Sequence, residues 1–533
     1  MKVFPVGIHR QAKEKILELI PKNKQEIARK LLRTAEENAV IFARISRSPG
    51  SFDEISSSVD EEGAARFHQK WTVSIEGYGH KSVGEHAILQ IAIEDVASAD
   101  GDAITDNRLA SYTEFSARFK SRQGKGYFTP QSVLKDKALT KLWRKTHQLL
   151  FKTCDRLTSK AEEWIFSDEA QNQFKELRQG YYHSEETEKA WLSRLTKHAA
   201  DQYKNLLPAS RLTSIGVTMN ASEGEHAIKK FLSGPSPSLR KIGRAFKRAA
   251  LEIAPTLVKY ANFDPYLASW PTRRNLLIKE FNLKGKLDKI KGETAARTEI
   301  VQSKKIEALI LAAFIFEDEK TGTFKDLVSK INHFPKTKRQ KMIQRILKEN
   351  LLFNDFEKGK INSAGIGAHD MPPRAFEFNG GYIYEFPQMT YGDWREFKRH
   401  RIQSYSAKPL DIKWGHMIPP LATIMDKSKN KKFHGCTKAV EQAVEQAERL
   451  FKKVAKNNPG DARYAVTRLH YRPAIAQFNT REAFHLIKLR TGDTAHAFIR
   501  RLMWPTYDLI KKKHPAIAEG IYLRGKRTKI AFP

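Results

Sequence analysis

Helical and strand patterns alternate along this 533-residue chain, and the same succession is read twice. The sequence therefore predicts a mixed helix-and-strand protein built by internal duplication. Three observations carry that prediction: an alternating apolar stretch at 87–94, amphipathic stretches of helical period, and a restart of short motifs beyond residue 290.

The elements follow in chain order. Ile27, Leu31, Leu32, Ala35 and Val40 recur at helical spacing and predict a helix over 23–45. Ser48-Pro49-Gly50-Ser51 breaks it, and Phe52 opens the next element. Residues 87–94 alternate as a strand, and 141–160, 187–204 and 238–261 read as helical. A Lys-rich, Gly-punctuated stretch at 269–289 predicts a basic linker. Beyond it, 306–316 reads as a helix and 376–387 as a strand hairpin around Asn379-Gly380-Gly381. Over 436–457, Ala439, Val440, Ala443, Val444, Ala447, Leu450 and Phe451 form the apolar stripe of an amphipathic helix. Gly322-Thr323-Phe324 echoes Gly50-Ser51-Phe52. Gly365 to His369 echoes Glu76 to His80, and Arg401 to Tyr405 repeats Arg108 to Tyr112. The repeats are placed at 1–268 and 290–533. The first carries an insertion, because Arg108 and Asn220 stand much further apart than Arg401 and Asn479.

Composition narrows the function. No apolar run approaches the ~20 residues of a membrane span. The only cysteines, Cys154 and Cys436, imply neither a disulfide framework nor a structural zinc site, and a cytoplasmic location is expected. Lys and Arg number 94 against 60 Asp and Glu, a net charge of +34. A field of that sign attracts polyanions: nucleic acid, an anionic membrane or phosphorylated metabolites.

The chemistry-bearing segments are few. Arg399-His400-Arg401 sits in a cationic run with interleaved aromatics, and guanidinium forks grip phosphates and stack on flat rings. Upstream stand Glu114, Ser116, Arg118 and Phe119. His80-x-Ser82-x-x-Glu85-His86 is open to acid–base work, to metal ligation or to a role in orienting a loop. Its spacing is not that of His-Glu-x-x-His, and no metal is expected. Arg463, Asn479, His485 and Arg490 complete the set near the C-terminal end.

Together these segments resemble the signature of the flavin-dependent (ThyX-type) thymidylate synthases: Arg-His-Arg, a following Ser, and Asn-Glu-x-Ser-x-Arg-Tyr. The second repeat keeps the Arg-His-Arg end, and the first keeps Glu-x-Ser-x-Arg-aromatic. The resemblance implies an α+β fold, each repeat a mixed β-sheet flanked by helices. It implies FAD held by Arg399, His400, Arg401, Glu85, His86, Asn479 and His485. It implies dUMP held by Glu114, Ser116, Arg118, Arg463 and Arg490, with Arg490 and Ser116 nearest the chemistry. Methylenetetrahydrofolate and NADPH would be co-substrates, and dTMP the product. Paired chains would form a homodimer that mimics a tetramer, with composite sites between complementary repeats. Departures from the pattern are also present: Glu396 stands where a Gln is usual, His485 for an Asn, and Thr494 for a His. The competing readings are a catalytically decayed scaffold that binds nucleic acid through its basic surface, and a flavin-dependent uracil methylase acting on polynucleotide.

Overall fold

The computed structural model describes residues 1–6, 9–45, 48–73, 80–115, 126–172, 188–281, 297–300, 305–316, 323–348, 372–378, 381–492 and 495–524. It is a mixed helix-and-sheet protein, as expected for the α+β class. Two compact units are formed. The first comprises Met1–Trp143, Ala209–Lys286 and Lys452–Ala465; the second comprises Arg144–Pro208, Leu287–Phe451 and Val466–Pro533.

The first unit is built on an antiparallel sheet of β1 (Lys2–Pro5), β2 (Ile88–Ala97), β3 (Ala110–Glu114) and β4 (Leu212–Asn220), in the order β1-β2-β4-β3. Ile91 pairs with Val217, and Val217 with Tyr112. Alternation decides the faces. Leu89, Ile91 and Ile93 of β2 turn inward with Ile215, Val217 and Met219 of β4. Helices Ala221–Leu232 and Pro237–Leu251 cover that face with Ile228, Phe231, Ile242 and Phe246. A bulge between Ile93 and Val96 lets β2 continue, and there Asp95 takes a φ of 57°.

The second unit repeats the plan. Strands β5 (Arg297–Ile300), β6 (Tyr382–Phe386), β7 (Gln403–Ala407) and β8 (Ala474–Phe478) form an antiparallel sheet ordered β5-β6-β8-β7. The correspondence extends to caps. Ser51 accepts from Glu54 N at 3.3 Å to start helix Phe52–Ser57, and Thr323 accepts from Asp326 N at 3.2 Å to start helix Phe324–Asn332. The Gly-Ser/Thr-Phe echo is thus a helix start in both places. Asn220 and Asn479 cap the helices that follow β4 and β8, each accepting a backbone N–H at 2.8 Å.

Two sequence expectations are corrected. The helix expected over 23–45 is split: residues Gln25–Leu31 and Ala35–Ile45 are separate helices. Thr34 and Glu37 form a reciprocal cap, with Glu37 N to Thr34 Oγ1 at 3.2 Å and Thr34 N to Glu37 Oε2 at 2.7 Å. Ile27 and Leu31 are then exposed. The hairpin expected over 376–387 is a single strand, β6, because residues Arg374–Glu377 form a 3-10 turn and β6 pairs with β5 and β8 instead. Gly381, at φ +69°, permits that entry; a Cβ there would meet Phe478 O at 2.2 Å. The helix at Cys436–Asn457 has the expected bounds. Its Val440, Val444 and Ala447 join one core with Leu150, Cys154, Trp164, Leu195 and Tyr203. The helical insertion of the first repeat therefore builds the core of the second unit. The sequence divisions at 1–268, 269–289 and 290–533 follow motif repetition, whereas the compact units follow packing.

Candidate anionic-ligand site

In the second unit, residues distant in sequence converge behind the Arg-His-Arg segment. A reciprocal cap between Thr390 and Asp393 starts helix Tyr391–Phe397, which carries Glu396 and delivers His400 into the interior. The Asn479 cap starts helix Thr480–Arg490, which carries Glu482, His485 and Arg490. Arg490 Nε donates to His400 Nε2 at 2.9 Å, and its Nη1 reaches Glu396 Oε2 at 3.2 Å. His400 Nδ1 lies 3.3 Å from Glu482 Oε1, and the His400 and His485 rings are 5.4 Å apart. Because Nε2 accepts from a guanidinium, the His400 proton resides on Nδ1 and faces Glu482.

Electrostatics follow from burial and these neighbours. Burial first, then Arg490 and Arg399, lower His400 to about 3, so the ring is neutral. Burial would raise Glu396, but Arg399 and Arg490, with His496 and Lys204 behind them, hold it down to about 2. Burial raises Glu482 to about 7 against the pull of His485 and Arg481. Arg399 and Arg401 flank the buried His400 and are themselves exposed, with Arg399 Nε on Arg395 O at 3.1 Å.

These shifts have opposite signs in stability. His400 is lowered from 6.5, so the unfolded chain takes up a proton that the fold refuses, and stability falls as pH drops from about 6.5 towards 3. Glu482 is raised from 4.5, so the fold holds the extra proton, and stability rises as pH drops from about 7 to 4.5. The two act in opposite directions between pH 6.5 and 4.5, and His485, also lowered by burial, acts in the same direction as His400. In urea titrations across that window, His400→Asn is expected to make the second unit more stable on acidification, and Glu482→Gln less stable.

The first unit holds two further groupings. A cavity of about 520 Å³, within the range of cofactor pockets, is lined by Phe42, Arg44, Trp71, His80, Ser82 and His86 among others. His86 stacks on Phe42 (centroids 4.9 Å apart, planes at 11°), and His80 stacks on Trp71 at 6.3 Å. Elsewhere in that unit Asp100, fully buried, takes Arg463 Nη2 at 2.6 Å, Ser238 Oγ at 2.8 Å and Tyr464 OH at 3.0 Å. Burial raises the Asp100 carboxyl, and Arg463 opposes the rise.

Comparison with known proteins decides the family. The model of the thymidylate synthase complementing protein family (Thy1) matches residues 27–256 and 384–516, more than half of the chain. The chain belongs to the Thy1 family. A UPF0159 protein of Thermoplasma acidophilum is 24% identical over 476 residues, covering 83% of this chain and 85% of its own length. A UPF0159 protein of Chlamydia muridarum is 21% identical, covering 85% and 80%. A flavin-dependent thymidylate synthase of Pyrococcus furiosus is 31% identical over 102 residues, 18% of this chain and 38% of the relative.

In this Thy1-family chain, Arg399, His400, Arg401, Asn479, His485 and Arg490 all belong to the second unit. His400 and Arg490 meet directly, His485 adjoins them, and Asn479 is engaged as a cap. In the first unit, His86 lines the cavity, exposed Glu85 precedes it, and Glu114 ends β3, accepting from Thr213 Oγ1 at 3.2 Å. Arg463 is held by Asp100. Ser116 and Arg118 lie outside the described residues. Glu482, Phe42 and Trp71 were not anticipated; the Glu482-x-x-His485 spacing, one helical turn, was the available signal for the first. His400, Glu482 and His485 have donor atoms close enough to share a metal ion. Such an ion would need the Nδ1 lone pair that His400 protonates while accepting from Arg490, and it would face two guanidinium groups. The donor set suits an anion better than a cation.

Among the described residues, no helix is long and apolar enough to cross a membrane.

Proposed function

We propose that the chain is a flavin-dependent thymidylate synthase, converting dUMP to dTMP with methylenetetrahydrofolate as one-carbon donor and FAD, reduced by NADPH, as redox cofactor. The observation that carries this reading is the Arg490–His400 hydrogen bond, which joins the Arg-His-Arg segment to the late arginine inside one buried polar site. The Thy1 membership supports it, as do the shorter matches to proteins called flavin-dependent thymidylate synthase.

Each unit, taken by itself, offers groups of the kind an anionic, ring-bearing cofactor needs. The ring-lined cavity offers flat faces at Phe42, Trp71, His80 and His86, with the Arg44 cation among them. Arg399 and Arg401 offer exposed guanidinium forks to phosphate. The flavin, when bound and reduced by NADPH, would supply the hydride. The chain's own part is positioning and charge. Neutral His400 accepts from Arg490 Nε and so fixes the plane of that guanidinium. Arg490 would then stabilise negative charge developing on the pyrimidine, in a site dry enough for one donor to matter. Glu396 occupies Nη1 of Arg490, so an incoming anion must compete with it. The repeated strand order and paired helix caps support reading the chain as two tandem Thy1-type repeats.

The test is the near-ultraviolet and visible spectrum of the purified protein, before and after adding FAD and then dUMP. Flavin bands that shift with dUMP are expected. A colourless protein that takes up no FAD would end this reading.

A further inference from the structure

The second unit carries a basic surface that neither the flavin nor the nucleotide reading uses. Helix Phe324–Asn332 and helix Lys336–Lys348 are joined by the three-residue turn His333–Pro335. The turn is pinned from inside. Arg339 Nη1 donates to Asn332 O and Phe334 O, while its Nε pairs with buried Glu307 at 3.1 Å. Ile331, Ile343 and Leu347 face the core. Lys338, Lys341 and Arg345 lie on the side of the second helix away from Ile343 and Leu347; all three are exposed, with Lys338 Nζ 3.7 Å over the Phe334 ring, and the helix contains no acidic residue.

Lys338, Lys341 and Arg345 follow i, i+3, i+7 spacing and share one face. They span ~10 Å along the axis at about 1.5 Å per residue. A nucleic-acid strand in a duplex presents a phosphate every ~3.4 Å of axis, so a stripe of this length faces about three phosphate intervals. A second cationic run stands in the same unit. Helix Ala497–Lys513 ends in exposed Lys511, Lys512 and Lys513, and its C-cap His514 lies 3.7 Å from the Glu307 that holds Arg339. Besides Glu307, two carboxylates among the described residues belong to these elements or touch them. Glu519 accepts from Gln344 Nε2 at 3.0 Å, and Asp326 accepts from Thr323 Oγ1 at 2.7 Å. The scaffold itself does not require these cations. The helix in the matching place of the first unit, Glu61–Phe67, opens on Asp60, Glu61 and Glu62.

We propose that helix Lys336–Lys348, presented by the His333–Pro335 turn and flanked by Lys511–Lys513, docks on the phosphate backbone of nucleic acid. The contact is to backbone and independent of base sequence. It stands whether or not the chain turns over dUMP.

The test is fluorescence anisotropy of a labelled DNA duplex and of a labelled single-stranded RNA, titrated with the full chain across a salt series. The wild type is expected to bind at least one polymer, with log affinity falling linearly with log salt. Lys338→Ala/Lys341→Ala/Arg345→Ala should weaken binding by ~10-fold or more and, on duplex, reduce the slope by about 0.9 per lost phosphate contact. The control Lys241→Ala/Arg244→Ala/Arg248→Ala removes the same charge from an exposed i, i+3, i+7 stripe of helix Pro237–Leu251 and should leave the slope unchanged. A thermal melt confirms that both triple variants are folded, since all six side chains face solvent. Equal losses for the two triples would overturn the proposal in favour of net charge alone. So would absence of binding near physiological salt, or binding to phosphatidylserine vesicles with none to either polymer.

Discussion

Arg490→Ala should lower the rate of dTMP formation by at least ~10²-fold, the usual cost of removing one preorganised donor from the charge that develops in a transition state. The structure gives the reason for so large an effect. Arg490 bonds His400 through Nε and Glu396 through Nη1, so its guanidinium is held at two edges. Lys at this position keeps a charge but loses the fork, and Arg490→Lys should recover little. The loss should fall on turnover rather than folding, with the melting temperature within a few degrees of wild type. The variant leaves Glu396 beside Arg399, which still holds its carboxylate low. Glu396→Gln is the informative companion. It removes the negative charge that competes for Arg490 and should tighten binding of inorganic phosphate, read by isothermal titration. If Arg490→Ala keeps full turnover, the Arg-His-Arg site is not where the chemistry occurs.

Asp100→Ala should destabilise the first unit by about 3–5 kcal/mol, the cost of breaking a buried ion pair from one side. Asp100 is fully buried, and its carboxylate receives Arg463, Tyr464 OH and Ser238 Oγ. Without it a guanidinium and two hydroxyls lose their carboxylate acceptor. Urea denaturation read by tryptophan fluorescence measures the loss. The double variant Asp100→Ala/Arg463→Met should regain most of it, because the orphaned charge is removed too. Equal instability of the single and double variants would show that the pair contributes through packing alone. The experiment also separates two roles for Arg463. A tie to Asp100 predicts a stability change, whereas a hold on substrate predicts a change in KM.

Much of this was legible before any coordinates. The helix at Cys436–Asn457 was readable because its apolar residues from Ala439 to Phe451 keep a helical period, and β2 because Leu89, Ile91 and Ile93 alternate. Arg399-His400-Arg401 was readable because cations packed so densely carry their chemistry in their identity. The break at Arg33-Thr34 was written in Thr34-x-x-Glu37 yet outvoted by an apolar stripe running across it. The hairpin around Asn379-Gly380-Gly381 failed for another reason. Turn residues signal a change of direction, but which strand pairs with which is decided by long-range register.

The family signature, the echoed short motifs and the residue types of the site are readable in local order along the chain. Which of those residues meet is set by packing. Arg490 and His400 stand 90 positions apart, and Arg463 and Asp100 363 apart. No periodicity spans such distances, and both pairings exist because sheet register and helix packing bring buried charges within reach of a partner. The same packing made Glu482 the neighbour of His400, assigned Asn479 to a helix cap, and gave the inserted helices to the core of the second unit. A buried charge must find a partner wherever the fold places it, and that place is a property of the folded chain as a whole.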